Sequence, residues 1–223
     1  MIKPILAVDT SQSSCSVSVY FSNEKFFESN FNLKHAHAEV LFKNIEYVLS
    51  SAKMDPDDLE YIAISSGPGS FTGLRIGMAA IKGIAYASDL SIIPVPTFEA
   101  LAFQISNFLP LNTDFIIMNK VNMEEIYFAK FRTSPSNYET LEYLKIVKYE
   151  DIKPLKQNIL IFGNALLDSN NELLNIKKTV FSPFSRFVAE WSRIYGQNLI
   201  TKEFDYLEPL YFKNFIVKGK HHV

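Results

Sequence analysis

The side chains with chemical potential in this chain are few and far apart. Asp9-Thr10-Ser11 closes an apolar run. A carboxylate beside two hydroxyls at a strand end is a place where ATPases can hold magnesium, yet single acids so placed are common without a metal. His35, His37 and Glu39 stand together in "HAHAE". His35 and Glu39 lie one helical turn apart, but the spacing is not H-x-x-x-H and further ligands would have to come from elsewhere. The simpler reading is a helix start, with Glu39 favouring the first-turn dipole. His221 and His222 belong to a basic tail with Lys218 and Lys220, which reads as a frayed terminus before it reads as a polyanion site. Cys15, the one cysteine, cannot form an internal disulfide and fits a small buried thiol in an alternating strand. No second carboxylate stands at a spacing that makes an acid/base pair. No catalytic residue and no metal ligand is assigned.

The stretch "SSGPGSFTGLRIG", residues 65–77, holds four of the eight glycines. A phosphate-binding P-loop needs G-x-x-x-x-G-K-[ST], but Gly73 is followed by Leu74-Arg75. A dinucleotide fingerprint needs G-x-G-x-x-G with an acid closing the next strand; Gly67 to Gly73 is one residue too long and the next strand ends Ile93-Pro94. A nucleophile elbow needs G-x-S-x-G, and Ser70 is flanked two residues away by Pro68 and Thr72. What remains is a strand-to-helix turn in which Gly67, Gly69 and Gly73 allow close approach and Ser70 or Thr72 caps the helix. Arg75 would strengthen any weak attraction of an anion to that helix start.

The elements that must position these residues are set by periodicity. Strands are expected at 5–8, 14–21, 25–31, 61–65 and 91–94, with helices over about 36–53 and from Gly73 to about Ser88. In the first helix Ala38, Leu41, Ile45, Val48, Leu49 and Ala52 make one stripe. The second half repeats the order, with strands at 115–119, 125–131, 140–147 and 159–162, a Gly163-Asn164-Ala165 turn, and a helix near Leu166. A last helix is expected to open at Ser182-Pro183 and stop at Gly196. Proline-flanked residues 96–113 mark the boundary. The expected plan is α/β: two tandem lobes, residues 1–98 and 99–223, each a mixed β-sheet flanked by helices, with the C-terminal helix and tail packing back on the first lobe.

The helix after the glycines is the most informative element. Leu74, Gly77, Met78, Ile81 and Ala85 form a face that can cover a sheet, yet the opposite face holds Ile76, Ala79, Ala80, Gly83 and Ala87, with Tyr86 at its edge. In a two-layer lobe nothing within the chain covers that side. A second subunit is expected there, aided by Val40 and Tyr47 on the first helix. The remaining composition is that of an ordinary globular chain: 223 residues, 48% hydrophobic, with 22 basic against 24 acidic residues. Neither charge forms a block suited to nucleic acid. No apolar stretch reaches the roughly 20 residues of a membrane span, and no signal peptide opens the chain, so the cytoplasm is the expected address.

Four segments, "ILAVDTS" at 5–11, "SSGPGSFTGLRIG" at 65–77, "EEIYFAKF" at 124–131 and "LEPLYFK" at 207–213, resemble the bacterial TsaB family, formerly called YeaZ. The resemblance covers nearly the full length. It implies a pair of actin-like, RNase H-type lobes of the sugar-kinase and Hsp70 superfamily. It also implies a non-catalytic subunit of the machinery that makes N6-threonylcarbamoyladenosine in tRNAs reading codons that begin with A. Such a subunit pairs with TsaD, which carries the metal-binding histidines, and TsaE, a small ATPase, joins the pair. No cofactor belongs to this chain in that reading; ATP and metal are used by the partners, tRNA is met through the complex, and the chain alone can self-pair. The family's dimer surface corresponds to segments 36–53 and 73–88. Where the family commonly reads Asp-Ala-Arg this chain has Asn119-Lys120-Val121, and Lys213 replaces a usual Arg. No contact is carried over to those positions. An ATPase using Asp9, a metallopeptidase-like enzyme, and an RNA-binding module using the tail stay open beside this reading.

Overall fold

Both halves of the chain build a five-stranded sheet with the same strand order. The computed structural model describes residues 3–32, 37–152, 159–165, 176–177 and 180–210. The helix expected near Leu166, His35, Lys213 and the basic tail lie outside them. In the first sheet β1 (Ile5–Asp9), β2 (Ser14–Ser22) and β3 (Lys25–Asn32) form an antiparallel meander. On the other side of β1, β4 (Ile62–Gly67) and β5 (Ile92–Pro96) add in parallel, giving the order β3-β2-β1-β4-β5. The second sheet repeats this with β6 (Asp114–Lys120), β7 (Glu125–Ser134), β8 (Asn137–Lys148), β9 (Leu160–Phe162) and β10 (Ile176–Lys177), in the order β10-β9-β6-β7-β8. Its pairings repeat as well, antiparallel for β6/β7 and β7/β8 and parallel for β6/β9 and β9/β10.

The central strand of the first sheet is apolar on both faces because both are covered. Leu6 and Val8 enter the core beneath α1 (His37–Ala52) and α2 (Phe71–Ala87). Ile5 and Ala7 enter the core beneath α3 (Thr97–Ser106) and α4 (Ser185–Tyr195). The first lobe is therefore three layers, where two were expected. The α1 stripe lands as its spacing predicts, with Leu41, Ile45, Val48 and Leu49 buried. The spacing did not single out Asn44, which is also buried and accepts a hydrogen bond from the Ser29 hydroxyl at 3.3 Å. Helix α3 touches both sheets, its Phe98, Leu101 and Ile105 packing on Phe115, Ile117 and Phe131 of the second.

The start of α4 corrects the expectation from sequence. Ser182-Pro183 does not open the helix; Phe184, in extended backbone, is the N-cap and the helix begins at Ser185. The Ser182 hydroxyl is instead 2.7 Å from that of Ser14. The free donors at the helix start are satisfied by other elements: Phe184 N donates to Gln104 Oε1 (2.7 Å), Ser185 N to Ser16 Oγ (2.8 Å) and Arg186 N to Glu28 Oε1 (3.0 Å). A local sequence rule cannot see caps supplied by β2, β3 and α3. The Glu28 carboxylate also accepts from the Ser185 hydroxyl and lies at the positive end of the helix dipole. Glu28→Ala should therefore lower unfolding stability by about 1–2 kcal/mol, read as a lower urea midpoint with an unchanged slope.

Candidate functional site

The glycine stretch is a close-packed joint. Gly67 ends β4 at φ +117°, and its N–H donates to Thr97 Oγ1 at 3.0 Å. Ser70 is the N-cap of α2: its hydroxyl accepts from Gly73 N at 3.2 Å while its own N–H donates to Ser11 O at 2.6 Å. Thr72 is exposed and does not cap. A Cβ at Gly69 would lie 2.2 Å from Ser11 O, at Gly73 2.2 Å from Thr10 O, and at Gly77 2.3 Å from Thr10 Oγ1. Gly73 and Gly77, four apart, share one face of α2, and with Gly69 in the turn before the helix they rest on the turn after β1. Arg75 holds its guanidinium carbon 3.9 Å from the Phe71 ring centroid.

Under this joint lies Asp9. It is 1% exposed, and its carboxylate accepts from Ser11 N (2.9 Å), the Ser11 hydroxyl (2.8 and 2.9 Å to its two oxygens) and the Ser65 hydroxyl (3.1 Å). Burial pushes its pKa up to about 6, against the downward pull of the Ser11 and Ser65 bonds. The matching position in the second lobe is Asn119, wholly buried, whose Oδ1 accepts from Asn164 N and whose Nδ2 donates to Phe181 O, both at 3.0 Å. Two oppositely placed acids, as a magnesium nucleotide would use, are not present at these strand ends. Burial also pushes the Cys15 thiol up to about 11, which fits an unreactive core cysteine. Among the described residues no group of three or more His, Cys, Asp or Glu is placed to hold a metal.

The second feature is the outer side of α1 and α2. Leu74, Gly77, Met78, Ile81 and Ala85 are buried on the sheet as their spacing predicts. On the other side Ala79, Gly83 and Ala87 are exposed at a spacing of four, forming a floor of small residues, and a Cβ at Gly83 would meet nothing within 4 Å. Tyr86 (82% exposed) lines one groove with Gly83, while on α1 Tyr47 is 61% exposed and Val40 half-buried. Two residues expected on this face are not on it. Ala80 is 8% exposed and Ile76 half-buried, both packed into the core that α1 and α2 share, because neighbouring α1 covers that flank. Sequence spacing missed Phe42, exposed on α1, and Tyr206 (85% exposed). Tyr206 faces a groove of about 850 Å³ with Tyr86, Gly83 and Phe204. Residues 201–206 are brought there by the Ile92/Thr201 bridge (2.8 and 2.9 Å) and by Lys202 Nζ donating to Asp89 at 2.7 Å. No pattern along the chain announces such a return.

Sequence and fold are both similar to those of known proteins. A family model described as TsaD, tRNA N6-adenosine threonylcarbamoyltransferase, matches residues 32–137. The chain is 30% identical over 126 residues to the tRNA threonylcarbamoyladenosine biosynthesis protein TsaB of Haemophilus influenzae, covering 56% of this chain and 52% of that one. The chain thus spans about half the length of that relative. To the TsaB proteins of two Buchnera aphidicola strains it is 29% and 27% identical, covering 72% and 80% of this chain and 78% and 83% of theirs. YeaZ from Pseudomonas aeruginosa superposes with a TM-score of 0.77 at 18% identity, over 94% of this chain and all of that one.

The chain is similar to the TsaB (YeaZ) proteins.

Its fold is that of YeaZ, and its two halves repeat one strand order. Within that fold, the glycine segment serves to seat α2 on the β1 turn. Gly73→Ala should cost about 3 kcal/mol by forcing a methyl onto a backbone carbonyl, whereas Gly83→Ala should gain about 1 kcal/mol; urea unfolding of the two variants measures both. For Asp9, the folded protein keeps the proton to about pH 6, while the unfolded chain releases it in the usual carboxylate range. The stability due to the neutral acid is thus full below that range and lost as pH rises to about 6. Asp9→Asn should gain on the parent by about 2–3 kcal/mol between pH 4 and pH 7, with no further gain above, as read from melting curves across pH.

Proposed function

We propose that this chain is a non-catalytic subunit in the formation of N6-threonylcarbamoyladenosine in tRNAs that read codons beginning with A. It pairs through α1 and α2 with a TsaD-like transferase. The observation that carries the reading is the uncovered floor of Ala79, Gly83 and Ala87 beside Tyr86, on a helix whose inner side is already committed to the sheet, with Tyr47 exposed on neighbouring α1. Small residues let a partner helix approach closely, and exposed tyrosines are the kind of anchor that dominates association. The TsaD model matches a stretch that includes both helices. Two subunits built on related lobes can offer each other the same helix pair about a near-twofold axis. The buried, hydrogen-bonded Asp9 and the amide at Asn119 support a subunit that performs no phosphate chemistry itself.

In this arrangement ATP and metal serve the partners, a TsaE-like ATPase joins the pair, and tRNA is met through the complex in the cytoplasm. Without its partner the chain can pair with a second copy through the same face. The test is reconstitution. The chain alone should make no modified adenosine, and should do so when a TsaD homologue, a TsaE homologue, ATP, threonylcarbamoyl-adenylate and tRNA are supplied. Gly83→Glu should weaken binding to the TsaD homologue roughly 100-fold with an unchanged circular dichroism spectrum. Turnover by the lone chain, or undiminished binding of Gly83→Glu, would overturn the proposal.

A further inference from the structure

Lobes of this kind are joined by a cleft, and domains joined that way commonly open and close about a hinge. In this chain the cleft is bridged at two separated places. At the end of β6, the buried Asn119 amide accepts from Asn164 N through Oδ1 and donates to Phe181 O through Nδ2. Asn164 in turn accepts from Lys120 N at 2.7 Å and donates through Nδ2 to Gln12 Oε1 at 3.0 Å, on the turn after β1 of the first lobe. Ser14 and Ser182 share a hydrogen bond of 2.7 Å beside it. An amide suits the Asn119 position because it must accept on one side and donate on the other; a carboxylate would face the Phe181 carbonyl without a proton. Gly163, at φ +123°, lets the chain turn tightly into Asn164, since a Cβ there would lie 1.9 Å from Met118 O.

The second bridge lies at the other end of the same sheet. Asp114 at the start of β6 pairs with Arg132, next to the turn from β7 to β8. At the start of β8, Tyr138 donates its hydroxyl to Glu99 Oε2 on α3 at 2.5 Å and accepts from Trp191 Nε1 on α4 at 2.9 Å. Just before it, Ser136 O accepts from the Tyr195 hydroxyl at 2.7 Å. Helix α4 is packed on the first sheet through Phe187, Val188 and Trp191. One bridge would leave a pivot. Two, separated by roughly 20 Å along a strand of this length, oppose rotation about either.

We infer that the two lobes are locked into one body by the Gln12–Asn164–Asn119 clasp and the Glu99–Tyr138–Trp191 clasp, so that the cleft does not open or close. Neither clasp depends on the identity of the partner. The rigidity is tested in the full chain by electron–electron distance measurements between spin labels at Ser50→Cys and Tyr143→Cys, exposed positions on opposite lobes. The parent carrying these labels should give one narrow distance that magnesium-ATP leaves unchanged. Asn164→Ala combined with Tyr138→Phe should broaden the distribution roughly twofold or more. Should that pair fail to fold by circular dichroism, Gln12→Ala with Tyr138→Phe replaces it, since Gln12 is half-exposed and its loss spares the bonds inside the second lobe. A broad or two-peaked distance in the parent, a shift on adding magnesium-ATP, or a double variant as narrow as the parent would overturn the inference.

Discussion

The contact between the glycines that lead into and line α2 and the turn after β1 decides how the first lobe is closed and which of its surfaces stays open. Gly69, Gly73 and Gly77 allow the helix to lie against Thr10 and Ser11 at a distance no side chain would permit. That approach covers Asp9, places the Ser70 N–H on Ser11 O, and sets the direction in which the helix leaves the sheet. The inner face of α2 is then spent on the core. Its outer face, with the floor at Ala79, Gly83 and Ala87, stays exposed.

Duplication explains the framework, and divergence between its halves explains the loss of symmetry at the cleft. Strand order and pairing repeat in full, and the glycines that end β4 and β9 share nearly the same backbone angle, +117° and +123°. The side chains at the two central strand ends do not match. Asp9 only accepts, and its serine donors keep it within its own lobe. Asn119 accepts and donates, and through Asn164 it reaches across to Gln12. Where the first strand end carries a carboxylate, the second carries an amide, and the Asn164 side chain beside it bonds that of Gln12 across the two halves. A surface for a partner gains from such a framework, because a preorganised face loses less freedom on association.

The family likeness and the physical reading converge from different starting points. Rejecting the P-loop, the dinucleotide fingerprint and the nucleophile elbow needed only the spacing of residues 65–77. The same stretch, because its glycines must meet a backbone elsewhere in the fold, is specific enough to carry the resemblance. The TsaB and YeaZ relatives match the chain in sequence and in fold.

Much of the framework was legible in the order of residues, because burial imposes a period on local sequence. The two-sided apolar run at Ile5–Asp9, the α1 stripe and the inner face of α2 were all read from spacing alone, and the repeat of strand and helix showed the duplication. Residues 65–77 were read as a strand-to-helix joint, though the turn on which Gly69, Gly73 and Gly77 rest was not. What only the tertiary structure decided was everything supplied by residues distant in sequence. The helix start at Ser185 is set by Gln104, Ser16 and Glu28; Ala80 is withdrawn from the open face by α1; Tyr206 is delivered beside Tyr86 by the bridge at Ile92. Local periodicity reports which side of an element is buried, but not which neighbour buries it, and the neighbours decide where this surface begins and ends.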